Sequence, residues 1–181
     1  MTRSYRRRAL RLKGYDYAQA GAYFVTVCVQ DRTCLFGHVA GDTICLSATG
    51  QLAAALWSDL PPRFSEIDLD AFVVMPNHIH GIIVLSDRPA TVVAPLVGAP
   101  GIERNAPTVG DVVGAFKSLF TVEYIRGVKE GRWPRFQGRV WQRNYYEHVI
   151  RDEPDLARVR IYIDENPLRW AFDDENPLRT K

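Results

Sequence analysis

The apolar residues of the chain fall into short runs of strand length, separated by polar turns. Residues 23–29 are β-branched and aromatic and are followed by a polar turn, which is typical of a strand. Leu69–Met75 and His78–Leu85 are two more such runs, joined only by Pro76-Asn77. So short a connection predicts an antiparallel hairpin near the middle of a sheet. Ile44–Leu46 is a candidate for a further short strand.

Three helices are predicted where a capping residue precedes apolar positions at helical spacing. They begin at Ser47 or Thr49, at Thr108 and at Asp152, and they end near Asp59, Glu130 and Asn166. The order is therefore strand, helix, hairpin, helix, loop, helix. This order favours an α+β fold with a mostly antiparallel sheet and helices packed on it.

The length of 181 residues suits one globular domain. We expect a basic N-terminal arm at 1–20, one folded domain at 21–170 and a C-terminal tail at 171–181. Within the domain, residues 86–107 are rich in Pro, Ala, Val and Gly and are predicted to form a mobile loop.

The composition points to a cytoplasmic protein. No apolar run reaches the roughly 18 to 20 residues of a membrane-spanning helix, and the N-terminus lacks the apolar region of a secretory signal. The chain has 3 cysteines with no Cys-x-x-Cys spacing, which argues against a disulfide framework and against a zinc ribbon. We therefore expect a reducing compartment and no membrane partner.

Charge is distributed unevenly although the net charge is only +2. Residues 1–13 carry +6 and residues 115–143 carry +5, whereas residues 14–114 carry −6 and residues 144–181 carry −3. The two basic segments also contain aromatic residues, a combination that suits single-stranded DNA. A solvated loop and a disordered tail are the alternative interpretation. The candidate DNA-binding residues are Arg3, Arg6, Arg7, Arg8, Arg11, Arg132, Trp133, Arg135 and Arg139.

The triplet His78-Ile79-His80 begins one of the predicted strands. Residues i and i+2 of a strand point to the same face, about 6.6 Å apart, so both imidazoles can bind one metal ion. Two structural histidines are the alternative. No sequence extension typical of a zinc hydrolase follows the triplet.

Tyr162 and Asn166 are four residues apart in the last predicted helix and therefore share a face. An amide oxygen there could supply a third metal ligand beside a tyrosine hydroxyl that acts as a nucleophile. A packing role for Tyr162 is the alternative, and Tyr145 and Tyr146 are rival nucleophiles.

Four segments together resemble a known family. They are Phe72-Val-Val-Met-Pro-Asn-His-Ile-His-Gly81, Trp141-Gln142, Tyr146-Glu-His-Val-Ile-Arg151 and Tyr162-Ile-Asp-Glu-Asn-Pro167. This set resembles the single-tyrosine HUH transposases of bacteria, named for their His-hydrophobic-His motif, and among them the REP-associated tyrosine transposases. The resemblance extends from about residue 23 to residue 169, and the joint motif is far more specific than its parts.

The resemblance implies a ferredoxin-like or RRM-like fold with the HUH motif on a central strand and the nucleophilic tyrosine on a C-terminal helix. It implies that His78, His80 and Asn166 bind a divalent ion, Mg²⁺ or Mn²⁺, and that Tyr162 attacks DNA. Many insertion-sequence relatives have Gln where Asn166 stands. His148 lies in a shared segment and is a candidate to orient a metal ligand or to contact DNA.

The implied activity is cleavage and rejoining of single-stranded DNA near palindromic hairpins through a covalent 5′-phosphotyrosine. The chain has no G-x-x-x-x-G-K-[ST] motif, in keeping with a reaction that needs no nucleotide cofactor. Two other functions remain open, namely a hairpin-binding protein without catalysis and a zinc-dependent hydrolase that uses His78, His80 and His148. Both a monomer and a homodimer fit the resemblance, as does association with the nucleoid.

Overall fold

A computed structural model of the chain describes residues 16–87 and 106–179. The sheet strands are β1 (Gly21–Cys28), β4 (Ile67–Val74), β5 (His78–Leu85) and β6 (Tyr146–Ile150), and the small hairpin consists of β2 (Gly37–Ala40) and β3 (Thr43–Leu46). The helices are α1 (Ala48–Ser58), α2 (Val109–Lys129) and α3 (Glu153–Asp164), and a 3-10 helix, Pro167–Phe172, follows α3. Ser47, Thr108 and Asp152 cap the three helices, as the sequence predicts.

The main sheet has the order β4-β5-β1-β6, and each neighbouring pair is antiparallel. With α1 after β1 and α2 after β5, this is the ferredoxin-like arrangement, which confirms the predicted fold class. Strand β5 lies inside the sheet between β4 and β1, so the HUH motif is on a central strand. None of the helices in the described ranges is long and apolar enough to span a membrane.

The two faces of the sheet are covered by different helices. Helices α1 and α2 pack on one face of the sheet and form the larger core with it. Trp57, Phe116 and Phe120 are completely buried in this core. Helix α3 covers the other face, where Val159 and Ile163 pack with Phe24 and Ile82 in a smaller core. The His residues of β5 belong to this second face.

Two strands were not predicted. Strand β6 has only five residues, lies at the sheet edge and has a mixed burial pattern, so it lacks the apolar alternation that marks a strand. Strand β2 has four residues and begins at Gly37, whose φ of 142° is in the range that favours glycine. Most of the predicted mobile loop at 86–107 lies outside the described residues, as do residues 1–15 of the predicted arm at 1–20.

Gly81, next to the second histidine, allows α1 to pack closely on the sheet. A Cβ atom at this position would lie 2.4 Å from Cζ2 of Trp57, a side chain with no exposed surface. Trp57 in turn contacts Phe116 of α2 edge to face, with ring centroids 5.2 Å apart. Gly81 therefore leaves room for Trp57 of the helical layer, on the face of the sheet opposite to the histidines.

We expect the substitution Gly81→Ala to lower the free energy of unfolding by about 1–3 kcal/mol, because an added methyl group overpacks a close-packed core. Gly114→Ala is the matched control, since a Cβ in this part of α2 meets no atom within 4 Å of the described structure. Gly114→Ala should raise the free energy of unfolding by about 0.5–1 kcal/mol, because alanine has a higher helix propensity than glycine. Chemical denaturation measures both. If both variants change the free energy of unfolding equally, Trp57 does not restrict the size of the side chain at position 81.

Candidate active site

His78 and His80 place their imidazole rings side by side on the α3 face of the sheet. Both residues are buried, with 0% and 2% of their surface exposed. Their Nε2 atoms are 3.0 Å apart, and the ring centroids are separated by 4.5 Å. The strand geometry that the sequence predicts for His-x-His is therefore present, and both rings direct the same nitrogen to one point.

The opposite ring nitrogens, Nδ1, are hydrogen-bonded to buried polar side chains. Nδ1 of His78 is 2.8 Å from Oδ1 of Asn77, and Nδ1 of His80 is 2.8 Å from Oγ1 of Thr26 on β1. Asn77 is 1% exposed and Thr26 is 3% exposed. Partners of this kind fix the orientation of a histidine and leave its other nitrogen for a metal.

Tyr162 lies directly above His80. Its hydroxyl oxygen is 3.4 Å from Nε2 of His80, and the two ring centroids are 5.2 Å apart. The ring also contacts Phe24 edge to face at 5.8 Å, which holds it against the sheet. The residue keeps 37% of its surface exposed. The hydroxyl is thus next to the histidine pair and also accessible from solution.

Two side-chain contacts connect α3 to opposite edges of the sheet. Arg160 donates two hydrogen bonds to Asp70 of β4, at 2.9 and 2.6 Å, and these bonds hold the pKa of Asp70 below its usual range. Nε2 of His148 on β6 lies 2.9 Å from Oδ2 of Asp155, and this bond is the main cause of the lowered pKa of the Asp155 carboxyl. His148 therefore contacts the helix that carries Tyr162 rather than the His78–His80 pair.

Asp173 is the acidic residue that lies closest to the histidine pair in the described part of the chain. Its Oδ2 is 4.0 Å from Nε2 of His78, and ligand atoms of Asp173, His78 and His80 all lie within 4.8 Å of one another. The other carboxylate oxygen accepts a hydrogen bond of 2.7 Å from the backbone N–H of Glu175. This bond orients the carboxylate with Oδ2 towards the histidines.

The segment that carries Asp173 is held in place by contacts with the HUH motif. The Asn77 side-chain amide donates to the carbonyl oxygen of Glu175 at 2.7 Å, and the Glu175 carboxylate pairs with Arg32 at 3.3 Å. The Trp170 ring lies 6.1 Å from the ring of His78. Residues 173 and 175, which the sequence assigned to a C-terminal tail, thus contact the candidate site.

Asn166 follows α3 and is 2% exposed. Its Oδ1 is buried and has no hydrogen-bond partner among the residues that the structure describes, an arrangement that costs free energy unless a ligand satisfies it. Asn166, Tyr162 and Asp173 line the same pocket. Two imidazole nitrogens, a carboxylate and an unpaired amide oxygen form a donor set that fits a divalent metal ion.

The sequence did not reveal three of these residues. Asp173 is one of several acids in an acidic segment and lies beyond the shared motifs, so no spacing rule distinguishes it. Thr26 comes opposite His80 only through the β1–β5 register. Asn77 directly precedes His78, but the sequence predicts only a turn there and not a hydrogen bond to the histidine. Of the three residues, only Asn77 had a usable signal in the sequence, namely its position next to His78.

The rival tyrosines lie farther from the histidine pair. Tyr146 is opposite Thr26 on β6, and Thr26 in turn is opposite His80, so two strand spacings of about 4.8 Å separate Tyr146 from the histidine strand. Tyr145 packs against the core formed with α1 and α2, and its ring lies 6.0 Å from Nζ of Lys117. Of the three tyrosines, Tyr162 has the position that suits a nucleophile.

The basic segment at 132–139 is partly structural. Trp133 stacks on Tyr124 at 5.3 Å and packs on Gly127, and the Arg132 guanidinium lies 4.9 Å from the Trp133 ring. Arg132 also bonds Glu130 at 2.7 Å. The arm residues Arg3, Arg6, Arg7, Arg8 and Arg11 lie outside the described residues.

The chain is similar to two proteins of Haemophilus influenzae. An uncharacterized protein is 36% identical over 177 residues, which cover 92% of this chain and 91% of the relative. A second protein, named "Putative REP-associated tyrosine transposase", is 23% identical over 160 residues, which cover 87% and 76%. No protein-family model matches the chain.

The fold is similar to that of a REP-associated tyrosine transposase whose structure was solved with a REP hairpin bound. The TM-score is 0.55 at 21% sequence identity, and the match covers 86% of this chain and 71% of the other. At this identity the likeness concerns the fold alone. In sequence, the chain is similar to a protein that is named as a REP-associated tyrosine transposase.

Proposed function

We propose that the protein cleaves and rejoins single-stranded DNA next to hairpins, with Tyr162 as the nucleophile and a divalent metal ion as cofactor. One observation carries the proposal, namely the Tyr162 hydroxyl 3.4 Å from Nε2 of His80 in a pocket that Asn166 and Asp173 also line. The related transposase that was solved with a REP hairpin supports hairpin DNA as the substrate class.

His78 and His80 would hold the metal through Nε2, together with the Asp173 carboxylate and the Asn166 amide oxygen. The two oxygen ligands suit Mg²⁺ or Mn²⁺, and the two imidazoles favour Mn²⁺ of the pair. When bound, such an ion supplies positive charge that neutralises a phosphate and stabilises the transition state. Strand β5 would supply the two histidines, and the segment after α3 would supply Asn166 and Asp173.

Tyr162 would attack the phosphorus of the scissile phosphodiester. The bond from its hydroxyl oxygen to phosphorus forms, the bond to the 3′-oxygen breaks, and the departing strand takes a proton to give a free 3′-hydroxyl. A free tyrosine has a pKa of about 10, so almost none of it is ionised at neutral pH. Tyr162 therefore depends on its orientation towards the phosphate rather than on a large phenolate fraction. Attack by another 3′-hydroxyl on the phosphotyrosine reverses the step and joins the strands, with no need for ATP.

We expect Tyr162→Phe to abolish formation of a covalent protein–DNA adduct. A hairpin DNA with a single-stranded flank, labelled at its 3′ end, should migrate with the wild-type protein on a denaturing gel in Mn²⁺. The phenylalanine variant keeps the ring contacts with His80 and Phe24 but has no hydroxyl to bond phosphorus.

Tyr146→Phe is the matched control, because Tyr146 is exposed to a similar degree, 38%, and is two strands away from the histidines. It should form the adduct like the wild type. If the adduct still forms with Tyr162→Phe, the nucleophile is Tyr145 or Tyr146 instead. Hairpin binding with no adduct in any metal would favour the DNA-binding protein without catalysis.

We expect Asp173→Ala to weaken Mn²⁺ binding by at least about tenfold, the lower limit for loss of a group that merely supports a metal ligand. Asp174→Ala is the control, since that side chain is 69% exposed and pairs with Arg179 instead. Isothermal titration without DNA gives both affinities. If both variants bind Mn²⁺ like the wild type, the carboxylate at 173 is not a ligand.

DNA contacts along the flanking strand would come from the basic segment and the arm. In the basic segment, Arg135 and Arg139 are exposed, whereas Arg132 is engaged by Glu130 and Trp133 is partly covered by Tyr124. We propose that Arg135 and Arg139 contact phosphates and that Trp133 contributes mainly through its packing. The five arginines of the arm stay candidates for the same role.

We expect Arg135→Ala and Arg139→Ala each to reduce the slope of log affinity against log salt by about 0.7–0.9, the contribution of one phosphate contact. Fluorescence anisotropy with a labelled hairpin at several salt concentrations provides the slope. Arg126→Ala serves as control, because Arg126 pairs with Glu123 on α2. A slope that none of the three variants changes would exclude this segment from the DNA interface.

A further inference from the structure

An exposed aromatic side chain lines the pocket of the candidate active site. Phe172, the last residue of the 3-10 helix after α3, has 78% of its surface exposed, and it lines the same pocket as Tyr162, Asn166 and Asp173. We propose that a base of the single-stranded DNA stacks on the Phe172 ring, next to the phosphodiester that is cleaved. The inference rests on the proposed function for its ligand, single-stranded DNA, but it does not require cleavage.

The backbone on both sides of Phe172 is held in place. The backbone N–H of Asp173 donates to the carbonyl oxygen of Trp170 at 3.1 Å, and the side-chain amide of Asn176 donates to the same oxygen at 3.0 Å. The centroid of the Trp170 ring lies 6.1 Å from that of the His78 ring. Because Phe172 lies between two anchored residues and its side chain has few torsions, little conformational entropy is lost when a base binds.

A guanidinium group lies on the same side of the 3-10 helix as the Phe172 ring. Arg169 precedes Phe172 by one turn of this helix, a spacing at which side chains eclipse, and both residues line the pocket. The Arg169 side chain is 63% exposed and donates from Nη2 to the carboxylate of Glu165. The other N–H groups of a guanidinium can still bond a phosphate. The ring and the guanidinium therefore match the base and the phosphate of one nucleotide.

A protein partner fits this pocket less well than a nucleotide does. Charged side chains lie around the ring, since Arg179 and Asp173 line the pocket together with Arg169. A protein that covered the Phe172 ring would remove these charges from water, which costs free energy unless each charge is matched. A stacked base covers the ring alone, and the sugar–phosphate chain stays in water. A base is therefore a better match for Phe172 than a second copy of the chain.

The position of Phe172 indicates which base would stack on it. Phe172 directly precedes Asp173, whose Oδ2 is 4.0 Å from Nε2 of His78. A ring so close to the candidate metal site adjoins the phosphate that would be cleaved, so the stacked base belongs to a nucleotide that borders the cleaved bond. Because every base has a π-face, the ring would fix the position of the strand and not select its sequence.

Substitutions of Phe172 test the stacking contact by DNA affinity. In anisotropy measurements with a labelled hairpin that has a single-stranded flank, Phe172→Ala should weaken binding by about 5–150-fold, the loss expected for one stacked base. Phe172→Leu should lose nearly as much, because leucine is apolar but has no aromatic face, whereas Phe172→Tyr should bind like the wild type. Leu178→Ala is the matched control, since Leu178 is 84% exposed and lies outside the set of residues that line the pocket.

A tryptophan at position 172 reports the contact directly. In Mg²⁺, and with Tyr162→Phe present so that cleavage does not interfere, the added fluorescence of Phe172→Trp should be quenched when the hairpin binds. Leu178→Trp adds an equally exposed indole outside the pocket and should show no more quenching than the 4 native tryptophans do. An abasic nucleotide on one side of the cleaved bond should abolish the quenching at position 172, whereas one placed farther along the flank should not.

Three results would overturn the proposal. They are wild-type affinity in Phe172→Ala or in Phe172→Leu, equal quenching at positions 172 and 178, and a dimer of the wild type that dissociates in Phe172→Ala, which sedimentation would detect and which would assign the ring to a second copy of the chain. Hairpin binding that Phe172→Ala does not weaken, together with a covalent adduct, contradicts the stacking contact alone. Stacking without an adduct in the protein that keeps Tyr162 contradicts the proposed cleavage alone.

Discussion

The alternation of side chains along strand β5 is the constraint on which the rest of the site depends. His78, His80 and Ile82 face α3, whereas Ile79, Gly81 and Ile83 face the layer of α1 and α2. A shift of one residue in the pairing would bury the histidines under Trp57 and place glycine at the candidate metal site. The eight-residue register between β1 and β5 makes such a shift costly.

The same constraint sets the position of the candidate nucleophile. Helix α3 packs with Ile163 and Val159 on the face that carries the histidines, so its apolar contacts bring Tyr162 over His80. Two polar side-chain pairs, Arg160–Asp70 to β4 and Asp155–His148 to β6, fix the helix across the sheet. These pairs are at the surface, where each is worth little, so we assign them to orientation more than to stability.

Much of this architecture could be predicted from the sequence. The hairpin around Pro76-Asn77, the three helix caps and the placement of His78, His80 and Tyr162 on their elements follow from local patterns. Strand β6 could not be predicted, because an edge strand of five residues is stabilised by pairing with β1 rather than by its own pattern. Asp173 and Thr26 could not be predicted either, since only tertiary contacts bring them to the histidines. Local patterns reveal the candidate reactive residues, whereas the residues that orient them are brought together only by the fold.

The bond from Asn77 to the carbonyl of Glu175 spans 98 positions in the chain. During synthesis, a ribosome-bound chain exposes the HUH motif long before residues 173–175 have been made. At that stage Asn77 lacks one of the acceptors that orient its amide, and Asp173 is absent. A nascent chain would therefore have the histidines and yet lack the complete candidate site. This order of synthesis delays the assembly of the candidate site until residues 173–175 have been made.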